Sequence, residues 1–228
     1  MAVSDDVESL VSDPKLVAER RSQIVDAAVE LFSKQGYFRT TIQQITRKAG
    51  VSTGLIYQYF GDKEDILFLT LKLVLETYER DIPPQLKGLD NPLVRLCAAL
   101  RAYCSVVDGL REATVLAYRS TWSLPPKRRV LIGNAETRTN KIFSDILVDC
   151  VEQGLIKEVN LDLLTYQYVH FSHAWALKHW AFRGKYDLEH YIEEGRKLLI
   201  EPFLTAAGRE QWKKHDLCAG PAQAGSQP

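Results

Sequence analysis

The chain lacks net charge: 29 lysines and arginines offset 29 aspartates and glutamates over 228 residues. A zero sum argues at first against nucleic acid, but the distribution of charge decides the matter. Long apolar runs are missing too. The stretch LFLTLKLVL is interrupted by Lys72 and falls short of the roughly 18 residues of a membrane span, so no membrane partner is expected. Cysteine is scarce. Cys97, Cys104, Cys150 and Cys218 form no C-x-x-C pair and no zinc spacing. Cys97 and Cys104 share one helical face with Leu96, Leu100 and Tyr103, so buried reduced thiols are expected, which suits a cytoplasmic protein. The opening MAVSDDVESLVSDP carries acids and no base, unlike a signal peptide. No stretch reads as a β-strand of useful length, and there is no internal repeat. A G-x-S-x-G elbow, a phosphate-cradling glycine loop and H-E-x-x-H are all absent. Catalytic groups can be dispersed, so an α-helical enzyme remains the alternative class.

What remains is ordinary globular composition, 46% hydrophobic and 25% charged, in a chain long enough for one large domain or two small ones. Local charge is uneven. Between Lys15 and Lys63 eight bases face four acids, leaving +4, a modest local excess of the sign that nucleic-acid phosphates attract.

The most informative stretch is TTIQQITRKAGVSTGLIYQYFGDKED, residues 40–65. Thr41 with Gln44 makes a capping box. Ile42, Ile45 and Ala49 share a helical face, Gly50 supplies a left-handed stop and Val51 plugs the corner. Ser52 caps a second helix with Leu55, Ile56 and Phe60 inward and Thr53, Gly54, Tyr57 and Gln58 outward. A short helix braced on another, with a small polar face exposed, is the shape that enters a major groove.

These residues resemble the DNA-binding segment of TetR-family transcriptional repressors, whose pattern is close to AGVS-x-G-x-x-Y-x-Y-F-x-x-K-E-x-L. Ala49, Gly50, Val51, Ser52, Gly54, Tyr57, Tyr59, Phe60, Lys63, Glu64 and Leu67 match, with Ile66 as an extra residue before Leu67. The upstream IVDAAVELFSKQGYFRTTIQQI is similar to the family's first helix. Thr46 departs from the pattern, standing where the family usually has alanine. The strong match spans about residues 20–70.

The resemblance implies an all-α fold: an N-terminal three-helix helix-turn-helix DNA-binding domain followed by a larger helical ligand-binding and dimerisation domain. The expected divisions are a disordered acidic N-terminus (1–14), the DNA-binding domain (15–65), the ligand-binding and dimerisation domain (66–208) and a disordered tail (209–228). Double-stranded operator DNA would be met by two groups of residues. Thr41, Tyr57, Tyr59 and Lys63 can donate to phosphates. Gln43, Thr53, Gly54, Leu55 and Gln58 lie where base edges or thymine methyls are met. Arg20 and Arg21 are further phosphate candidates, against the alternative of solvated surface charge.

Beyond residue 65, helical patterns run to Pro83, from Asn91-Pro92 to Asp108, from Arg111 to Ser123, and from Lys127 to Gln153. Two more follow, one opened by Asn160 or Asp162 and one from Leu188 to Leu204. DLLTYQYVHFSHAWALKHWAF is apolar round nearly its whole circumference, so it needs cover on all sides. A second subunit is the natural cover, and Tyr168, Trp175, Leu188, Ile192, Gly195 and Leu199 are the expected homodimer contacts. Gly195 inside a helix calls for a close approach by another helix. Tyr103, Tyr118, Trp122, Phe143 and Trp175, with Arg119 and His170 as polar handles, are candidate walls of an effector pocket, against the plainer reading as core. The segment AYRSTWSLPPKRRVLIGNAETRTNKIF is similar to TetR-family repressors of fatty-acid degradation, which respond to acyl-CoA thioesters. That likeness makes an acyl-CoA one candidate small-molecule effector, with Arg119, Lys127, Arg128 and Arg129 able to meet its phosphates, against the plainer reading of these residues as solvated charges near a loop. His170 and His173 at i, i+3 invite a metal, but no further ligand sits at matching spacing, so neither metal nor cofactor is expected. The sequence reads as a dimeric repressor; an activator with another effector fits the same residues.

Overall fold

A computed structural model describes residues 7–215; the expectations for residues 1–6 and 216–228, including Cys218, lie outside that range. The described chain is α-helical, with a single isolated antiparallel bridge between Ile156 and Leu204 and no strand among the described residues. The helices are α1 (Pro14–Gln35), α2 (Ile42–Ala49), α3 (Thr53–Tyr59), α4 (Lys63–Asp81), α5 (Pro83–Leu86), α6 (Pro92–Gly109), α7 (Arg111–Ser120), α8 (Pro126–Glu152), α9 (Leu161–Leu177), α10 (His179–Phe182), α11 (Leu188–Leu199) and α12 (Ala206–Lys214). No helix among them is long and apolar enough to cross a membrane.

The chain divides into two compact units. The first runs to Thr77 and takes in Leu110–Glu136; the second holds Tyr78–Gly109 and the chain from Thr137. By this division α7 and the first turns of α8 group with the N-terminal helices. The reason is packing: Leu116, Leu124 and Ile132 join the core built by Ile24, Ala28, Phe32, Ile45, Ile56, Phe60 and Leu67. Within the second unit, α6 packs along α9 and α11, and α12 lies on α6.

Capping residues set most boundaries. Asp13 accepts the backbone N–H of Lys15 and Leu16, and Pro14 occupies the first helical position. The helix thus opens at Pro14, because a proline at that position forfeits no hydrogen bond. Residues 7–13, expected to be loose, are ordered: Val7 is buried and Leu10 N–H donates to the Gln58 carbonyl at 2.8 Å. Asn91 caps α6 and Asn160, not Asp162, caps α9. At the far end, residues 209–214 are helical rather than disordered. Thr205 caps α12, and Trp212 is buried.

Candidate nucleic-acid interface

The reading pair α2–α3 is fixed by local chemistry. Thr41 Oγ1 accepts Gln44 N–H at 3.2 Å and Gln44 Oε1 accepts Thr41 N–H at 2.9 Å, completing the capping box. Gly50 has φ +68°, the left-handed value that favours glycine, and Val51 N–H returns to the Thr46 carbonyl. Ser52 Oγ accepts Leu55 N–H at 3.1 Å. Thr46 is buried, and its hydroxyl donates to the Gln43 carbonyl at 2.9 Å, so a threonine fits where the family pattern has alanine.

Of the nine expected DNA contacts, seven stand at or near the surface. Thr41, Gln43, Gly54, Tyr57 and Gln58 are exposed, and Thr53 and Leu55 are half-buried. Tyr57 is the large side chain among them, 48% exposed. Two do not fit. Tyr59 is 2% exposed, its ring in the core of the first unit, because it falls on the same helical side as Ile56 rather than Tyr57. Lys63 donates through Nζ to the carbonyls of Tyr37 (3.0 Å) and Thr40 (2.9 Å), and the ammonium lies 4.3 Å from the Tyr37 ring centroid. Its charge thus closes the turn between α1 and α2.

Arg21, a phosphate candidate, is buried: its guanidinium donates to the carbonyls of Tyr59, Val7 and Glu8 and covers the Phe60 ring. Arg20 donates to Gln23. Arg39 and Arg47 are exposed with no ion pair among the described residues, and both belong to the +4 segment. The charge count held that signal, but no motif singled them out.

In the second unit the expected pocket residues separate. Tyr103 and Phe143 are buried and stack with centroids 5.3 Å apart. Tyr78 lies 4.7 Å from Tyr103, Tyr168 lies 5.1 Å from Phe143, and His173 lies 5.6 Å from Tyr103. His173, not His170, is the buried imidazole; burial, helped slightly by the nearby His170, lowers its pKa to about 4. Its Nε2 is 3.3 Å from the Tyr78 hydroxyl. His170 is exposed, and its Nδ1 is bonded to the Tyr166 carbonyl. Sequence reading missed Asn140, 6% exposed, whose amide oxygen and nitrogen find no hydrogen-bond partner among the described residues. It lies one turn before Phe143 on α8, so both face the same side of that helix.

Tyr118, Arg119 and Trp122 belong to the first unit. Tyr118 and Arg119 are exposed, and Trp122, 79% exposed, is covered on one side by Arg129 at 4.9 Å. Arg128 is turned to Glu64 and Asp65 rather than outward.

Most of the expected dimer contacts also change role. Tyr168, Ile192, Gly195 and Trp175 all face the chain's own core. The helix that approaches Gly195 is α9 of the same chain: a Cβ there would meet the Phe171 ring at 2.4 Å. Trp175 donates its indole N–H to Asp108 at 2.7 Å, and Tyr168 donates its hydroxyl to the Leu199 carbonyl at 2.8 Å. Leu188 and Leu199 are half-buried. The faces left outward carry Leu163 (64% exposed), Tyr166 and His170 on α9, and Leu198 (63% exposed) on α11. Cys97, Cys104 and Cys150 are buried, and burial pushes the Cys104 and Cys150 thiols up to about 12. Among the described residues no group of three or more His, Cys, Asp or Glu gathers to hold a metal.

Residues 24–69 match the sequence profile of bacterial regulatory proteins of the tetR family. The HTH-type transcriptional regulator HbdR of Aromatoleum sp. (strain CIB) is 60% identical over 94% of this chain and 93% of its own. The crystal structure of FadR from Bacillus subtilis in complex with stearoyl-CoA is 25% identical, with a TM-score of 0.68 over 79% of this chain and 97% of that one. AibR, solved with isovaleryl coenzyme A and operator DNA, shares the fold at 20% identity and a TM-score of 0.71, over 81% of this chain and 100% of that one. With the capped α2–α3 pair, these likenesses establish that the chain belongs to the tetR family of transcriptional regulators, which are not enzymes, and carries its helix-turn-helix DNA-binding domain.

Proposed function

We propose that the protein is a cytoplasmic repressor that grips a palindromic operator as a homodimer and lets go when an acyl-CoA binds. The observation that carries the reading is the outward face of α3. Gly54, Tyr57 and Gln58 stand exposed on a helix whose start and end are both pinned, beside Thr41 and Gln43 of α2. Tyr59 and Lys63 leave the contact set, and the exposed Arg39 and Arg47 join it as phosphate partners.

Dimerisation is assigned to the outward faces of α9 and α11, where Leu163, Tyr166 and Leu198 remain uncovered. One feature of the second unit fits the acyl part of such a ligand. In the second unit, the nest of Tyr78, Tyr103, Phe143, Tyr168 and His173 offers apolar contact to an acyl group, and the orphaned Asn140 amide offers hydrogen bonds to a carbonyl. Fatty-acid regulators among the relatives, one of them solved with stearoyl-CoA, support the same class. Half-sites one DNA turn apart, roughly 34–36 Å, require a fixed spacing of the two α3 helices, so a modest change in that spacing abolishes two-headed binding.

The test is sedimentation of the full chain with a duplex that it selects from a random library, with and without isovaleryl-CoA or stearoyl-CoA. Two chains per duplex, released by at least one thioester, is the expected result. A chain that stays monomeric on DNA contradicts the dimer, and a complex indifferent to both thioesters contradicts the effector.

A further inference from the structure

Arg128 is far along the chain from the reading pair, yet its guanidinium sits at the start of α4, within the first unit. One nitrogen donates to Glu64 Oε1 at 3.0 Å, another donates to Asp65 Oδ1, and the guanidinium lies 5.2 Å from the Phe68 ring centroid. Asp65 does more than pair with it. Its second oxygen accepts the backbone N–H of Gly61 at 2.6 Å and of Asp62 at 3.3 Å, while Asp62 Oδ1 accepts Asp65 N–H at 2.8 Å. These bonds form the turn by which the chain leaves α3. Gly61 is held so close that a Cβ would stand 3.0 Å from the Asp65 oxygen.

Helix α3 spans seven residues, too few to persist by its own backbone bonds. Its N-terminus is fixed by Ser52. Its C-terminus depends on Arg21 at the Tyr59 carbonyl and on the Asp65 turn. A carboxylate as buried as Asp65 requires a charged partner to stay in place. Arginine meets two carboxylates with separate N–H groups, which a lysine ammonium does less rigidly.

We propose that Arg128 is a positioning residue for DNA reading: it holds the α3–α4 turn, and so the orientation of Tyr57 and Gln58, without touching DNA. This goes beyond the effector reading and does not depend on it.

The experiment compares Arg128→Met, Arg128→Lys and Glu64→Gln in the full chain, on the duplex selected by the unmodified protein, across a salt series. Arg128→Met weakens binding about tenfold or more; Arg128→Lys recovers part of the loss, and Glu64→Gln loses less. The slope of log affinity against log salt stays that of the unmodified protein. A slope shallower by about 0.9 would make Arg128 a phosphate contact and overturn the proposal. So would a lower melting temperature with unchanged affinity of the folded protein, the mark of a merely structural role. Should Arg128→Met fail to fold, unchanged affinity in both Arg128→Lys and Glu64→Gln overturns it equally.

Discussion

The reading pair and the α9–α11 pair are each two helices packed at close range, but different forces shape them. In α2–α3 the two starts and the turn between them are closed within a few residues, by Thr41, Gln44 and Ser52 at the starts and the left-handed Gly50 at the turn. Only the end of α3 is held from afar, by Arg21. In α9–α11 the packing is set by partners distant in sequence: Phe171 stacks on Tyr191 at 4.3 Å, and Tyr168 reaches the Leu199 carbonyl. The first pair leaves a polar face outward on a rigid frame. The second closes its aromatics on one another, which places its sensitive points at close contacts inside.

Three substitutions sharpen that contrast. The largest effect is expected at Gly208 in the second unit, where a Cβ would lie 2.0 Å from the Leu155 carbonyl oxygen. That carbonyl also accepts Thr205 N–H at 3.1 Å, so it has little freedom to retreat. Gly208→Ala should cost about 3 kcal/mol in urea unfolding, the upper range for overpacking; a neutral result would show that α12 is not anchored there.

Next comes His173. An unfolded histidine protonates near 6.5, whereas burial holds the folded one neutral down to about 4. Between those values the folded chain binds fewer protons than the unfolded chain, so stability falls as pH drops through the window. The expected loss is about 2 kcal/mol from pH 7 to pH 5, and His173→Gln should remove most of that pH dependence. Equal pH dependence in both proteins would mean that the imidazole is not buried neutral.

The smallest effect is at Gly54, where an added Cβ would find nothing within 4 Å. Gly54→Ala should stabilise the free protein by up to about 1 kcal/mol, the helix propensity difference, while weakening DNA binding if the α3 backbone closes on the groove. Unchanged binding would move the closest approach elsewhere on α3.

The same contrast explains what the sequence disclosed. Caps, the left-handed Gly50 and the periodicity of α1 to α3 depend on neighbours within four residues, so they were readable one letter at a time. Direction was readable in part: Tyr59 stands three residues after Ile56 and shares its buried side, whereas Tyr57 falls on the outward face. Gly195 correctly signalled a close helix, but nothing local tells a neighbour in the same chain from one in a partner. Lys63 and Arg128 looked like free cations because the carbonyls and carboxylates that take them lie 23 to 64 residues away. Gly208 and Trp212 lie just before a polar, glycine-rich end, whose composition masked the anchored helix.

Hydroxyl-radical footprinting of the full chain on its selected duplex tests the central claim most directly. Oxidation of Tyr57 should fall on DNA binding, while Trp122 and Trp180, each 79% exposed, keep their rates. A Tyr57 that oxidises equally with and without DNA would contradict the placement of α3 in the groove.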